Sequence, residues 1–188
     1  MTSVRVHPDG GFIDAGDAQY PPVGGVCLVL FTATADKTVA NTTSETTLFG
    51  SGVGSLTLPA NSIVAGTSLR VKLVGYVDDT ASPTMRVRLK IGGSTVADTG
   101  ATTITASGTR IFQCEGVLTC RTVGSSGTVI GQVWWLSEDA FSDGRSTTSA
   151  TTTVNTTTAL AVDVTLGWGT ANAANTCTIT NATMERLG

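Results

Sequence analysis

The sequence predicts an all-β protein, an antiparallel two-sheet sandwich of jelly-roll type carrying an irregular N-terminal arm. Three observations lead there. Apolar and polar residues alternate by twos in several long windows, which puts one set of side chains on each face of a strand. No window repeats its apolar residues at helical spacing, and the abundant Thr, Val and Gly are poor helix formers. Turn-forming clusters separate the windows, and several longer connections suit a rolled sandwich better than an up-and-down barrel.

Taken in order, residues 1–25 form the arm and residues 26–188 the sandwich domain. The arm is bounded by His7-Pro8-Asp9-Gly10-Gly11 and Pro21-Pro22-Val23-Gly24-Gly25, breakers at both ends of a segment with no sustained period. Its apolar residues Phe12, Ile13 and Tyr20 could anchor it on a neighbour or on its own domain. Short strands are expected at 26–34, 46–49 and 55–58, with the glycine-rich stretch 50–55 as a turn between them.

Leu69, Val71, Leu73 and Val77 alternate against Arg70, Lys72, Val74 and Tyr76. After a turn over 78–83, Met85, Val87, Leu89 and Ile91 alternate against Arg86, Arg88 and Lys90. The pair reads as a β-hairpin with one buried and one basic face. Phe112, Cys114, Gly116, Leu118 and Cys120 share one face of a longer strand, with Gly116 a natural bulge point. Residues 129–136 are apolar on both faces, so Trp134 and Trp135 point to opposite sides. Leu160, Val162, Val164, Leu166 and Trp168 alternate against Asp163 and Thr165, the Thr-rich tract 146–158 reads as a loop leading into an edge strand, and residues 176–184 form the last strand.

Composition narrows the chemistry. Charged residues are 13% of the chain against about 25% in an ordinary globular domain, while hydrophobic residues stand at 40%. A surface coated with hydroxyls and amides suits a subunit that packs against others. The net charge of -3 gives no electrostatic reason to seek nucleic acid. No stretch approaches the ~18 apolar residues of a membrane span, and no signal peptide is seen, so synthesis in a cytoplasm without export by the general secretory route is expected.

A serine or cysteine nucleophile needs a nearby base, and the one histidine, His7, lies in the arm. Zinc ligands are not clustered, and the Gly50-Ser51-Gly52-Val53-Gly54-Ser55 run lacks the Gly-Lys-Ser/Thr of a phosphate loop. Glu115, Glu138, Asp139, Asp143 and Asp163 could in principle supply the two carboxylates of a glycosidase, with nothing in the sequence to place any two together. Asp78-Asp79 and Glu138-Asp139 with Asp143 are oxygen-rich but do not match a calcium loop, and read as solvated turn acids. No enzyme activity, metal or cofactor is therefore expected.

The four cysteines, Cys27, Cys114, Cys120 and Cys177, show no metal spacing. Cys114 and Cys120 on one continuous strand would sit ~20 Å apart at ~3.3 Å per residue, too far for a disulfide. Buried thiols, or a Cys27–Cys177 bridge, remain the two readings.

The basic ladder Arg70, Lys72, Arg86, Arg88 and Lys90 is the strongest charge signal. Like charges facing one another repel, so a carboxylate should cover them, from Glu115 or Asp163 or from a neighbouring subunit. The ladder, the arm residues Phe12, Ile13 and Tyr20, and an outward Trp134 are the candidate interface. The tryptophans and tyrosines could also form a sugar-stacking platform.

The stretches TTLFGSGVGSLTLPAN at 46–61, GTSLRVK at 66–72 and MRVRLKIG at 85–92 resemble β-rich virion proteins of tailed bacteriophages, over about residues 38–185. The resemblance implies a jelly-roll-like sandwich with no catalytic residue. It implies a virion location, as a capsid decoration or cement protein, a head fibre or a tail-fibre module. Decoration is favoured because neither repeats nor coiled-coil heptads are present. The implied partners are copies of itself, a homotrimer by analogy, and the major capsid protein or other virion proteins. A carbohydrate-binding module of a tail or head fibre, recognising a host glycan, is the alternative.

Overall fold

Unbroken alternation becomes strand. In the computed structural model, which describes residues 5–6, 12–13, 27–80, 82–104, 108–137, 143–145 and 150–187, no helix occurs among the described residues. From the N-terminus the strands are β1 (Arg5–Val6), β2 (Phe12–Ile13), β3 (Leu28–Ala33), β4 (Lys37–Ala40), β5 (Thr46–Thr47), β6 (Gly52–Gly54), β7 (Thr57–Leu58) and β8 (Ser68–Asp78). They continue with β9 (Thr84–Ile91), β10 (Ser94–Asp98), β11 (Thr102–Thr103), β12 (Arg110–Thr122) and β13 (Gly127–Ser137). The last are β14 (Asp143–Arg145), β15 (Thr152–Val154), β16 (Leu160–Trp168) and β17 (Thr176–Leu187).

Two large antiparallel sheets form the sandwich. The nine-stranded sheet runs β14-β13-β12-β8-β17-β3-β6, with β15 on β13 and β4 on β17; the six-stranded sheet runs β10-β9-β16-β5, with β11 on β9 and β7 on β16. Four pairs nest in sequence: β9 with β10, then β8 with β12, β5 with β16, and β3 with β17. Successive pairs alternate between the sheets, so the chain is one long antiparallel ribbon rolled up, the jelly-roll arrangement. In the arm, β1 pairs with β2 in a two-stranded sheet belonging to neither large one.

The core lies between the sheets and is built from the expected inward residues. Leu73 and Val77 of β8, Met85, Val87, Leu89 and Ile91 of β9, and Val164 and Leu166 of β16 are completely buried. Each such side chain contributes roughly 1.5–3 kcal/mol by leaving water. Phe112 and Trp135 pack with ring centroids 6.0 Å apart, and Phe31 meets Phe49 edge-on at 5.6 Å. Trp168, also buried, donates from Nε1 to the Val39 carbonyl oxygen at 3.3 Å, tying β16 to β4 of the other sheet.

Several local expectations are corrected. Strands β8 and β9 do not form a hairpin: both edges of β8 are occupied, by β12 on one side and β17 on the other along nearly its whole length, so β9 crosses to the second sheet. Gly116 is not a bulge, because β12 stays in register with both neighbours there; the irregularity falls at Arg121. Gly116 instead marks a close approach, since a Cβ there would lie 2.8 Å from Val71 Cγ2 and 3.3 Å from the Leu89 methyls. The run 50–55 is not simply a turn, as Gly52–Gly54 pairs with Phe31, Thr32 and Ala33. Asp79 is not a solvated turn acid: it is fully buried and ion-paired with buried Arg110 at one end of the sandwich. Breaking such a pair strands a charge in the interior.

All four cysteines are free, with Cys27 exposed and Cys114, Cys120 and Cys177 buried. There is thus no Cys27–Cys177 bridge. The Thr-rich tract 146–158 is not only a loop, since it contains the edge strand β15 itself, and the strand it leads into, β16, is not an edge: β9 flanks it on one side and β5 and β7 on the other.

Candidate functional site

The sandwich presents two outer faces of unlike chemistry. On the six-stranded sheet, the outward positions of β9 are Arg86, Arg88 and Lys90, flanked in register by β10 and β16. Arg86 donates from Nε and Nη2 to the Asp98 carboxylate at 2.8 and 2.5 Å, and Arg88 Nε reaches the same group at 2.9 Å. Glu45, just before β5, accepts from Arg88 Nη1 at 2.6 Å, Lys90 Nζ at 2.8 Å and the Thr165 hydroxyl at 2.6 Å. Three cations thus share two carboxylates in one network.

The electrostatics follow from that geometry. Burial pushes the Asp98 carboxyl up, but hydrogen bonds from Arg86, the Gly100 N–H and Arg88 outweigh it and bring it down to about 2. Glu45 is likewise raised by burial and lowered further by Lys90 and Thr165, with a net fall. Asp163, opposite Lys90, behaves differently: burial dominates and raises it, despite the Thr47 hydroxyl donating at 2.6 Å. A shallow concavity of about 250 Å³ opens over Gly167, lined by Thr43, Glu45, Thr84, Arg86 and Arg88. Its charged groups are already engaged with one another.

On the nine-stranded sheet the outward positions are mixed. Arg70 donates to Glu185 at 3.0 and 2.5 Å, and Lys72 lies opposite Glu115 in register. Around this charged strip lie exposed apolar side chains: Val74, Tyr76, Ile111 and Leu136 toward one end, Val29 and Val53 toward the β3–β6 edge. Trp134 faces outward beside Glu115 and is half-buried.

The five cations expected to form one ladder are therefore split. Arg70 and Lys72 occupy one outer face of the sandwich, Arg86, Arg88 and Lys90 the opposite one, because β8 and β9 belong to different sheets. Of the two covering acids named from sequence, Glu115 faces Lys72 and Asp163 faces Lys90 in register, but the ion pairs are made by Glu185, Glu45 and Asp98. Asp98 had a readable signal. Gly92 and Gly93, both with positive φ, make the two-residue turn that announces a hairpin, and β10 is its second strand.

The same split separates the carboxylates considered for glycoside hydrolysis. Glu115 and Asp163 sit on opposite outer faces, with two sheets about 10 Å apart between them, and cannot flank one bond. Asp143 is in β14, and Glu138 and Asp139 lie outside the described residues. Of the arm residues, Phe12 and Ile13 form β2, while Tyr20 and His7 lie outside the described residues. Among the described residues no three His, Cys, Asp or Glu side chains are grouped to hold a metal, and no helix is long and apolar enough to cross a membrane. No protein-family model, curated protein or solved structure matches the chain.

Proposed function

We propose that the chain is a structural component of a bacteriophage virion, a capsid decoration or cement protein that stabilises a shell by adding contact area. One observation supports this above others: the sandwich has one outer face whose cations are ion-paired within the chain and which carries none of the most exposed large apolar side chains described, and one outer face dotted with them. A subunit of an assembly, which covers one face against a neighbouring subunit and leaves the other toward solvent, needs such a division. The sequence resemblance to phage virion proteins supplies the assembly.

In this reading the mechanism is thermodynamic linkage. A protein that binds the assembled shell and not its opened parts raises the free energy of opening by RT ln(1 + [L]/Kd). Residues 1–25, with Phe12, Ile13 and Tyr20, supply the grip on the capsid. For the sugar-binding alternative, Trp135 and Trp168 are buried in the core and not available as stacking platforms, which leaves it the outward-facing Trp134 and Tyr76.

The test is to add the purified chain to shells that lack it. Saturable binding and a higher shell-opening temperature are expected, with occupancy lost on deleting residues 1–25. A chain that fails to bind shells refutes the reading; full occupancy without the arm moves the grip elsewhere.

A further inference from the structure

Six of the nine most exposed large apolar side chains described lie on one surface. Val29, Val53, Val74, Tyr76, Ile111 and Leu136 all face outward from the nine-stranded sheet, with exposures between 40% and 71%, and none of the nine is on the six-stranded sheet. Scattered exposed apolar residues need no explanation, but six on one sheet face mark a surface that something covers. Tyr76 and Ile111 are direct cross-strand partners, and Gln113 alone separates Val74 from Leu136 in the next row.

Charge identifies the occupant. The outward charged side chains described on this face are Arg70, Lys72 and Arg121 against Asp78, Glu115 and Glu185, three of each sign, so the face is neutral. A strongly charged partner would find nothing to neutralise there. A second copy of the same face would meet apolar surface and a strip holding both signs, with no net repulsion.

Size agrees. Eleven residues along β8 at ~3.3 Å and six strands from β13 to β6 at ~4.8 Å give a face of about 36 by 24 Å, or roughly 870 Å². That is close to the ~800 Å² per partner of a standard stable interface.

We infer that the outer face of the nine-stranded sheet is a self-association surface, occupied by a second copy of this chain, leaving the ion-paired face of the six-stranded sheet toward solvent. The inference deepens the reading of the molecule as an assembly subunit, and shell binding is measured separately from it. Contact between copies uses the sheet face, and contact with the shell falls to the arm and the sandwich ends.

The experiment is light scattering on the full-length chain at about 10 µM, where a ~1 µM complex is mostly associated. A molar mass of twice 19.1 kDa is expected, since a face that meets its own copy closes as a dimer. The double variant Val74→Asp/Ile111→Asp, checked for retained strand content by circular dichroism, should fall to the single-chain mass, while Arg86→Ala on the opposite face should not change it. Oxidative footprinting of the unaltered protein needs no substitution: Tyr76 should become at least several-fold less reactive as concentration rises. A wild-type chain of single-chain mass, a folded double variant that still associates, or Tyr76 reactivity independent of concentration would each overturn the inference. A monomer that still saturates shells would remove self-association and keep the shell reading, with the apolar face then taken by the capsid or by the chain's own arm.

Discussion

Replacing Gly75 with alanine should cost far more than the same change at Gly116, although both glycines are buried in long central strands. A Cβ at Gly75 would press into the carbonyl oxygen of Thr178 and lie 2.8 Å from the Ile179 Cα, both backbone atoms of β17. Ordinary contact begins at 3.4 Å, so the β17 backbone must retreat by at least 0.6 Å where it is pinned to β8 on one side and β4 on the other. Stretching two ladder hydrogen bonds at about 1–2 kcal/mol each, plus local strain of about 1 kcal/mol, gives a cost near 4 kcal/mol. Alanine's smaller backbone entropy loss returns about 0.5–1 kcal/mol, leaving about 3. At Gly116 the neighbours are the side-chain tips of Val71 and Leu89, which can rotate, and the net cost should stay below about 1 kcal/mol. Urea denaturation of the two variants reads this directly, and in melting temperature a 3 kcal/mol loss is roughly 6–12 °C for a chain of this size. If Gly75→Ala unfolds within 0.5 kcal/mol of the parent, or less readily than Gly116→Ala, the assigned β8–β17 backbone contact is wrong.

The remaining predictions concern titration and thiols. Asp98 has a folded pKa of about 2 against 3.8 for the free side chain, so its contribution is present above pH 4 and lost as the pH falls through 2. Because its partner Arg86 is 45% exposed, solvent screening reduces that contribution to about 1 kcal/mol. Asp98→Asn should therefore lose about this much stability at pH 7 and converge on the parent near pH 2; a constant gap across the range would contradict the network. Asp163 has the opposite sign: its raised pKa penalises the folded state at neutral pH, and the penalty disappears on protonation. A thiol reagent should find one reactive cysteine in the native protein and all four after unfolding, because Cys114, Cys120 and Cys177 are buried. Reaction at Cys27 should be slower than at a free thiol, since lost hydration and the nearby Glu185 carboxylate hold its pKa up. Native labelling of two or more sites would place a cysteine outside the core.

Strand identity was legible because it is local. The period-two pattern of Leu69, Val71 and Leu73, or of Val162, Val164 and Leu166, is set by the pleat itself, and each of these residues is buried. Short strands without alternation, such as Lys37–Ala40 and Gly52–Gly54, were not, because only a partner strand defines them. The candidate site was half visible: the sequence located the five cations and required carboxylates for them, but not which carboxylates.

The chain's own order of residues determined the fold class, the inward and outward sets on each long strand, and the opposite directions of Trp134 and Trp135. Tertiary structure alone decided which strands pair, and with that everything about the faces. Once β8 is enclosed by β12 and β17, β9 must join the other sheet, which sends Arg70 and Lys72 to one side and Arg86, Arg88 and Lys90 to the other. Alternation is a property of neighbouring residues, whereas pairing across more than a hundred residues is settled by which total arrangement buries both inward faces at once.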